Sequence, residues 1–144
     1  MSLLRPAACA LWLISAAVSA HETEQEPAAD AKLPYTVTPI FNQAMSDPGL
    51  AGYEMLATRL DIIPGGTDPA PHRHDADLFV YVLRGSIEVE LDGSKATYDT
   101  GAMFHEPRNV LHSLLRNTSE DQPASILALF VIKSDREPLV PVVN

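Results

Sequence analysis

The chain has 144 residues, and its 19 Asp and Glu outnumber its 10 Lys and Arg, for a formal net charge of −9. An acidic surface repels nucleic acid and anionic lipid, so the charge argues against both and favours a small molecule or a metal ion as the partner. The single cysteine, Cys9, lies in the N-terminal apolar segment, and no disulfide is expected in the rest of the chain.

The first twenty residues, MSLLRPAACALWLISAAVSA, predict a secretory signal peptide (residues 1–20). Arg5 precedes an apolar run over residues 7–17, and a small-residue end at residues 18–20 resembles a cleavage site. An uncleaved anchor is the alternative, although the run is short for a membrane span. Cleavage after Ala20 would make the protein periplasmic or secreted, with no membrane contact afterwards.

Residues 21–33 are charged and alanine-rich without periodicity, which predicts a flexible lead-in. Residues 34–144 are predicted to form a single all-β domain, because short β-type runs alternate with turn signals and no helical period is sustained. Pro39 favours an edge position for the first run, and Asp92-Gly93 favours a hairpin turn. The predicted strands are 35–41, 53–63, 78–83, 86–91, 95–100, 102–107, 112–117 and 124–133, with a turn cluster at 63–71 and a tight connection at 84–85.

His72 and His74 stand one residue apart, just before an apolar run that ends at Gly85. Side chains alternate along a strand, so both rings share one face, roughly 7 Å apart along the backbone, and can converge on one ion. His112 follows a turn and opens another predicted strand. Two ligands from one strand and a third from a distant strand leave coordination positions open, as a catalytic metal requires. Two solvated histidines remain the alternative for the pair taken alone.

The setting of the histidine pair resembles the first sequence motif of the cupin superfamily. That motif is a Gly, five residues, His-x-His, three or four residues, Glu, six residues and a Gly. Gly66, His72, His74 and Gly85 match it at the same spacing.

The second cupin motif is a Gly, five residues, Pro-x-Gly, two residues, His, three residues and an Asn. Gly101, Pro107 and His112 match it. Asn109 replaces the motif's Gly and can adopt the same left-handed turn, whereas Asn117 lies one place beyond the motif's Asn. The resemblance implies a small jelly-roll barrel (a double-stranded β-helix) with a metal bound inside it, often as a homodimer that exchanges edge strands.

The chain departs from the first motif at Leu78, which stands where the family has its Glu ligand. In a regular strand, Leu78 shares the face of His72 and His74, and Asp77 points away. A bulge between residues 75 and 77 would bring Asp77 inward instead. The regular strand is the favoured interpretation. It predicts a three-histidine site that keeps the full 2+ charge of its ion, and the resemblance allows this, since thiol dioxygenases within the superfamily use three histidines.

His105 and Glu106 lie between Gly101 and Pro107, and alternation sends one inward and the other to the surface. The inward residue would complete the coordination shell or move a proton, so both are catalytic candidates; the alternative is one solvated residue and one supporting hydrogen-bond partner.

The leading functional hypothesis is a periplasmic or secreted, metal-dependent enzyme of the dioxygenase type that acts on a small anionic or chelating molecule. The metal ligands would be His72, His74 and His112, and the cofactor a divalent first-row ion: iron, manganese, nickel, copper or zinc. The alternatives are a binding module that turns nothing over and a structural barrel whose histidines bind no ion.

Overall fold

The computed structural model describes residues 33–142. The predicted signal peptide and all but the last residue of the predicted lead-in lie outside this range. Within it, the chain forms β1 (Tyr35–Ala44), β2 (Tyr53–Ile62), β3 (Thr67–Asp68), β4 (His72–Arg73), β5 (Ala76–Arg84), β6 (Ser86–Leu91), β7 (Ser94–Asp99), β8 (Met103–Glu106), β9 (Leu111–Asn117), β10 (Ala124–Lys133) and β11 (Val140–Pro141), with a short 3-10 helix at Pro48–Leu50. No helix among these residues is long and apolar enough to cross a bilayer.

Two antiparallel sheets face each other across the core. The first has the strand order β1-β2-β10-β5-β8, and the second has the order β11-β4-β9-β6-β7, with β3 paired to β9. Alternation in β5, and in β10 from Ile126 onward, sends small and branched apolar side chains into the space between the sheets. In that space Val82, Ile87 and Ile132 are almost completely buried. This confirms the predicted all-β jelly roll.

The turns follow the local chemistry of the sequence. Asp92 and Gly93 both have positive φ, 46° and 78°, as a two-residue hairpin between β6 and β7 requires. Gly85 has a φ of 80°, and a Cβ at this position would lie 3.0 Å from the Cβ of Ala124. The connection at 84–85 is tight, as predicted, but it joins strands of different sheets, because β5 lies in the first sheet and β6 in the second.

The predicted regular strand through residues 72–80 is wrong in one respect. The chain leaves the second sheet after Arg73 and enters the first sheet at Ala76. The alternation of side chains nevertheless survives this crossing, since His74, Ala76, Leu78 and Val80 are all buried. His72 therefore lies on a strand of the second sheet, and His74 lies in the crossing segment between the two sheets.

Candidate metal centre

A cavity of about 200 Å³ lies between the two sheets and contains the predicted histidines. Most of its wall is hydrocarbon, with Leu78, Val80, Ile87, Val89, Phe104 and Phe130 among the lining residues. The polar side chains cluster together, so the cavity combines an apolar wall with one group of possible ligands.

His72, His74 and His112 converge although they come from separate segments. His72 on β4 is the direct register partner of His112 on β9, and the centroids of their rings are 4.8 Å apart. His74 follows β4, with its ring centroid 4.9 Å from that of His72. One nitrogen from each ring lies within 4.8 Å of the others. The structure thus brings together all three residues predicted as ligands.

Backbone carbonyls fix which nitrogen of each ring is free. The Nδ1 of His72 lies 3.0 Å from the carbonyl of Ala70, and the Nδ1 of His74 lies 2.9 Å from that of Pro138. The Nε2 of His112 lies 2.7 Å from the carbonyl of Leu114. A carbonyl only accepts, so each of these nitrogens carries the proton, and the lone pairs lie on Nε2, Nε2 and Nδ1, respectively. Such carbonyl partners typically orient metal-binding histidines.

Burial keeps two of the rings neutral. Loss of solvent lowers the pKa of His72 and of His74 below the ordinary value, against the opposing effect of their carbonyl partners. Burial also disfavours the charged form of His112, but the Glu106 carboxylate, the Leu114 carbonyl and Asp68 together outweigh burial and raise the pKa of His112. Neutral imidazoles with free lone pairs are the form that binds metal ions.

Glu106 lies inside the cavity and His105 lies outside it. Glu106 is 1% exposed, and its Oε2 lies 3.3 Å from the Nδ1 of His112 and 3.6 Å from the Nε2 of His74. Among residues 33–142, neither Glu106 Oε2 nor His112 Nδ1 has a hydrogen-bond partner. His105 stacks on Phe79 and pairs with Asp77 at 2.9 Å on the outer face. Of the two catalytic candidates, only Glu106 reaches the cavity.

Leu78 and Asp77 take the orientations favoured by the regular-strand interpretation. Leu78 is 3% exposed and lines the cavity beside the histidines, whereas Asp77 is exposed and contacts His105. Asn109 has a φ of 64°, and its N–H donates to the carbonyl of His74 at 2.9 Å. The left-handed turn predicted at Asn109 is therefore present, and its N–H holds the backbone of the candidate ligand His74.

Two further polar residues of the cavity were missed. Tyr35 donates to Asp68 at 2.9 Å, and both residues line the cavity. Burial and the Asp68 carboxylate raise the pKa of Tyr35 to about 12, so this pair presents a neutral phenol and a buried carboxylate. Residues 63–71 were predicted as a turn cluster. The short strand β3, which positions Asp68, lies within this range and was therefore not predicted.

Comparison with known proteins identifies the family and similar folds. The sequence model of one protein family, the cupin domain, matches residues 58–130. Germin-like protein 5-1 of Oryza sativa subsp. japonica is 33% identical over 89 residues, which cover 58% of this chain and 39% of that protein. This chain therefore corresponds to about two fifths of the length of that relative.

Two solved structures extend the comparison to the fold. Oxalate oxidase in complex with the substrate analogue glycolate is 27% identical, with a TM-score of 0.57 over 77% of this chain and 56% of that chain. A cupin 2 domain-containing protein from Halorhodospira halophila is 18% identical, with a TM-score of 0.59 over 81% of this chain and 75% of that chain. The second likeness supports the fold alone.

Proposed function

This chain belongs to the cupin family, and from that premise we propose that it is a metal-dependent enzyme that acts on a small anionic or chelating molecule. The observation that carries the proposal is the convergence of three ring nitrogens within 4.8 Å, each with its partner nitrogen committed to a backbone carbonyl. The donor set fits a divalent first-row ion, since imidazole suits iron, nickel, copper and zinc alike.

His72, His74 and His112 would hold the ion through Nε2, Nε2 and Nδ1. Bound there, the ion would supply a Lewis acid that polarises an oxygen ligand. The Glu106 carboxylate lies in the cavity beside His74 and His112, and its Oε2 is available to bind the ion or to exchange a proton with a ligand. Leu78 and Phe104 contribute an apolar wall to the same cavity.

The size and lining of the cavity constrain the substrate. About 200 Å³ is below the 300–1,000 Å³ typical of pockets for drug-sized ligands, so the substrate is a small molecule. The 27% identity to an oxalate oxidase that binds glycolate supports an oxygen-using oxidoreductase and makes short hydroxy- and dicarboxylic acids the first compounds to assay.

Metal analysis of the purified protein tests the site. We expect one ion per chain, and we expect His72→Ala, His74→Ala and His112→Ala each to lower occupancy sharply. His105→Ala is the matched control, because this histidine lies on the outer face, and it should keep full occupancy. Equal loss in the control, or no bound metal in the unmodified protein, would contradict the proposed site.

Oxygen uptake with glycolate, oxalate and related acids then tests catalysis. Uptake that depends on the three histidines supports the enzyme. A protein that binds its ion tightly but turns over none of these acids would be the non-catalytic binding module that the family also allows.

Export is a separate proposal, supported by the charge, apolar run and small-residue end of residues 1–20. We expect a mature chain that begins at His21 in the periplasm or outside the cell. Mass spectrometry of the cellular fractions measures this, and an intact Met1 on membrane-bound protein would contradict it.

A further inference from the structure

The carboxylate missing from position 78 is present directly across the strand pair. Leu78 on β5 is the register partner of Glu106 on β8. In an antiparallel pair, directly opposite side chains lie on the same face with their Cβ atoms about 4.5–5.5 Å apart. Glu106 therefore extends from the same wall, into the same cavity, as a Glu at position 78 would.

In the described part of the chain, the surroundings of Glu106 contain no permanently charged cation to neutralise a buried carboxylate. The residue is 1% exposed, and its Oε2 has no hydrogen-bond partner among residues 33–142. None of the described residues that line the cavity is Lys or Arg. Burying an unpaired carboxylate destabilises the folded state, so such groups pair with a cation or bind a metal. His112 offers a positive charge only if it takes up a proton on its remaining nitrogen.

The distances from Glu106 to two of the three histidines, His74 and His112, suit a shared ion. Two atoms that each lie about 2.1 Å from one ion are separated by roughly 3.0 Å at a right angle and 3.4 Å at the tetrahedral angle. The Oε2 of Glu106 lies 3.3 Å from the free nitrogen of His112 and 3.6 Å from that of His74. The separation from His112 falls inside this range and that from His74 is 0.2 Å longer than its upper end. Both involve the nitrogens whose lone pairs the backbone carbonyls leave free.

We propose that Glu106 is the fourth ligand of the metal site, supplied by β8 in place of the β5 residue that the first cupin motif provides. This inference rests on the proposed metal site. It replaces the three-histidine site predicted from the sequence with three histidines and one carboxylate. A divalent ion bound there would carry a net charge of one rather than two, so the site would hold anions less strongly than three neutral ligands would.

The test measures Co²⁺ affinity and the visible spectrum of the Co²⁺-loaded protein, with no reliance on turnover. Glu106→Gln, which keeps the shape, should weaken Co²⁺ binding and change the ligand-field bands. Glu106→Leu should weaken it by more than the roughly 100-fold upper range for loss of an outer-shell partner. The double variant Leu78→Glu/Glu106→Leu exchanges the two side chains across the strand pair and should restore most of the lost affinity.

Stability of the metal-free protein separates a ligand from a structural residue. If Glu106 is a ligand, then Glu106→Gln and Glu106→Leu remove an uncompensated buried charge, and the metal-free variants should melt at a higher temperature than the metal-free unmodified protein. A residue that holds the fold together would show the opposite change, and that result would overturn the proposal.

The outcomes also separate this proposal from the metal site itself. If both Glu106 variants bind Co²⁺ as tightly as the unmodified protein while His74→Ala does not, Glu106 is not a ligand and the three-histidine site stands. If the unmodified protein binds no Co²⁺, the metal site and the fourth ligand both fail.

Discussion

At the scale of single residues, the strand pair β5–β8 has one face inside the barrel and one face exposed to solvent. Leu78 and Glu106 meet inside the barrel, and the neighbouring residues Asp77 and His105 form an ion pair on the outside. This side-by-side arrangement makes it possible to change one face without disturbing the other.

Asp77→Ala should leave metal affinity unchanged and alter the free energy of unfolding by less than about 1 kcal/mol, because the Asp77–His105 pair is solvent-exposed. Leu78→Ala, one position along the strand, should cost about 2–5 kcal/mol, because this side chain is 3% exposed. Chemical denaturation and Co²⁺ titration measure both effects. If Asp77→Ala strips the metal, then Asp77 faces the cavity in solution and the inward position of Leu78 is wrong.

Tyr35 gives a prediction about pH. Burial and Asp68 raise its pKa from 10.0 to about 12, so the folded state favours the neutral phenol more than the unfolded state does. That stability is fully present below pH 10 and is lost as the pH rises through about 12. Ultraviolet titration of tyrosinate should show a late component that Tyr35→Phe removes and that Asp68→Asn moves to lower pH. A titration unchanged by Tyr35→Phe would contradict the assignment.

Which residues face inward could be predicted, but which inward residues meet could not. Alternation along a strand is local, so it placed Leu78 inside and Asp77 outside, and it placed one of His105 and Glu106 on each face. The meeting of Leu78 with Glu106 depends on register between strands 28 positions apart. Periodicity carries no information about that register.

At the scale of elements, the segment after β10 attaches to the strand that holds the first histidine. β11 pairs with β4, so that Val140 lies opposite Arg73 and Pro141 opposite His72. Arg136 contacts Asp75 at 2.8 Å, and the carbonyl of Pro138 accepts from His74. This C-terminal segment (residues 134–142) therefore orients two of the candidate ligands without providing any itself.

Arg136→Ala should lower metal affinity by about tenfold, the lower end of the effect of losing an outer-shell partner, because it frees the C-terminal segment from Asp75. Arg59→Ala is the control, since Arg59 makes an ion pair of similar length with Asp61, at 2.9 Å on β2, that is more exposed and lies away from the C-terminal segment. Calorimetric titration of both variants with Co²⁺ measures the difference. Equal affinities would show that the segment does not orient the ligands.

Long strands could be predicted, and the shortest ones could not. β2, β6 and β10 contain six to ten residues, enough for alternation and β-branched composition to appear. β3, β4 and β11 contain two residues each and exist because distant partners supply their hydrogen bonds. Those short strands build the ligand end of the cavity, so the supporting contacts of the site were the part that sequence periodicity missed.

At the scale of the whole molecule, the chain passes repeatedly between two sheets. β4 and β5 are neighbours in sequence but lie in different sheets, as do β5 and β6. Local signals predict strands and turns but do not predict to which sheet each strand belongs. The jelly-roll arrangement was predicted because the two motifs resemble those of cupins.

The candidate ligands lie on both sheets, so an ion bound to all of them would link the two sheets. Unlike a disulfide, this link could be removed by a chelator. His72 and His112 belong to the second sheet and Glu106 to the first, and the described residues contain no cysteine that could supply a permanent link. An ion held by all of them would oppose separation of the sheets, and at 100 times its dissociation constant it would add about 2.7 kcal/mol to the free energy of unfolding.

Hydrogen–deuterium exchange would reveal that link. In the unmodified protein, adding the metal should slow amide exchange in β9 and also in β8, on opposite walls of the barrel. In Glu106→Leu, a saturating metal concentration should still protect β9 but no longer β8, because the link to the first sheet is lost. If β8 of the unmodified protein exchanges at the same rate with and without metal, the ion does not link the second sheet to the first. A chelator would then not change how firmly the two sheets are held together. If the ion does link the sheets, the stability of the barrel depends on the concentration of available metal.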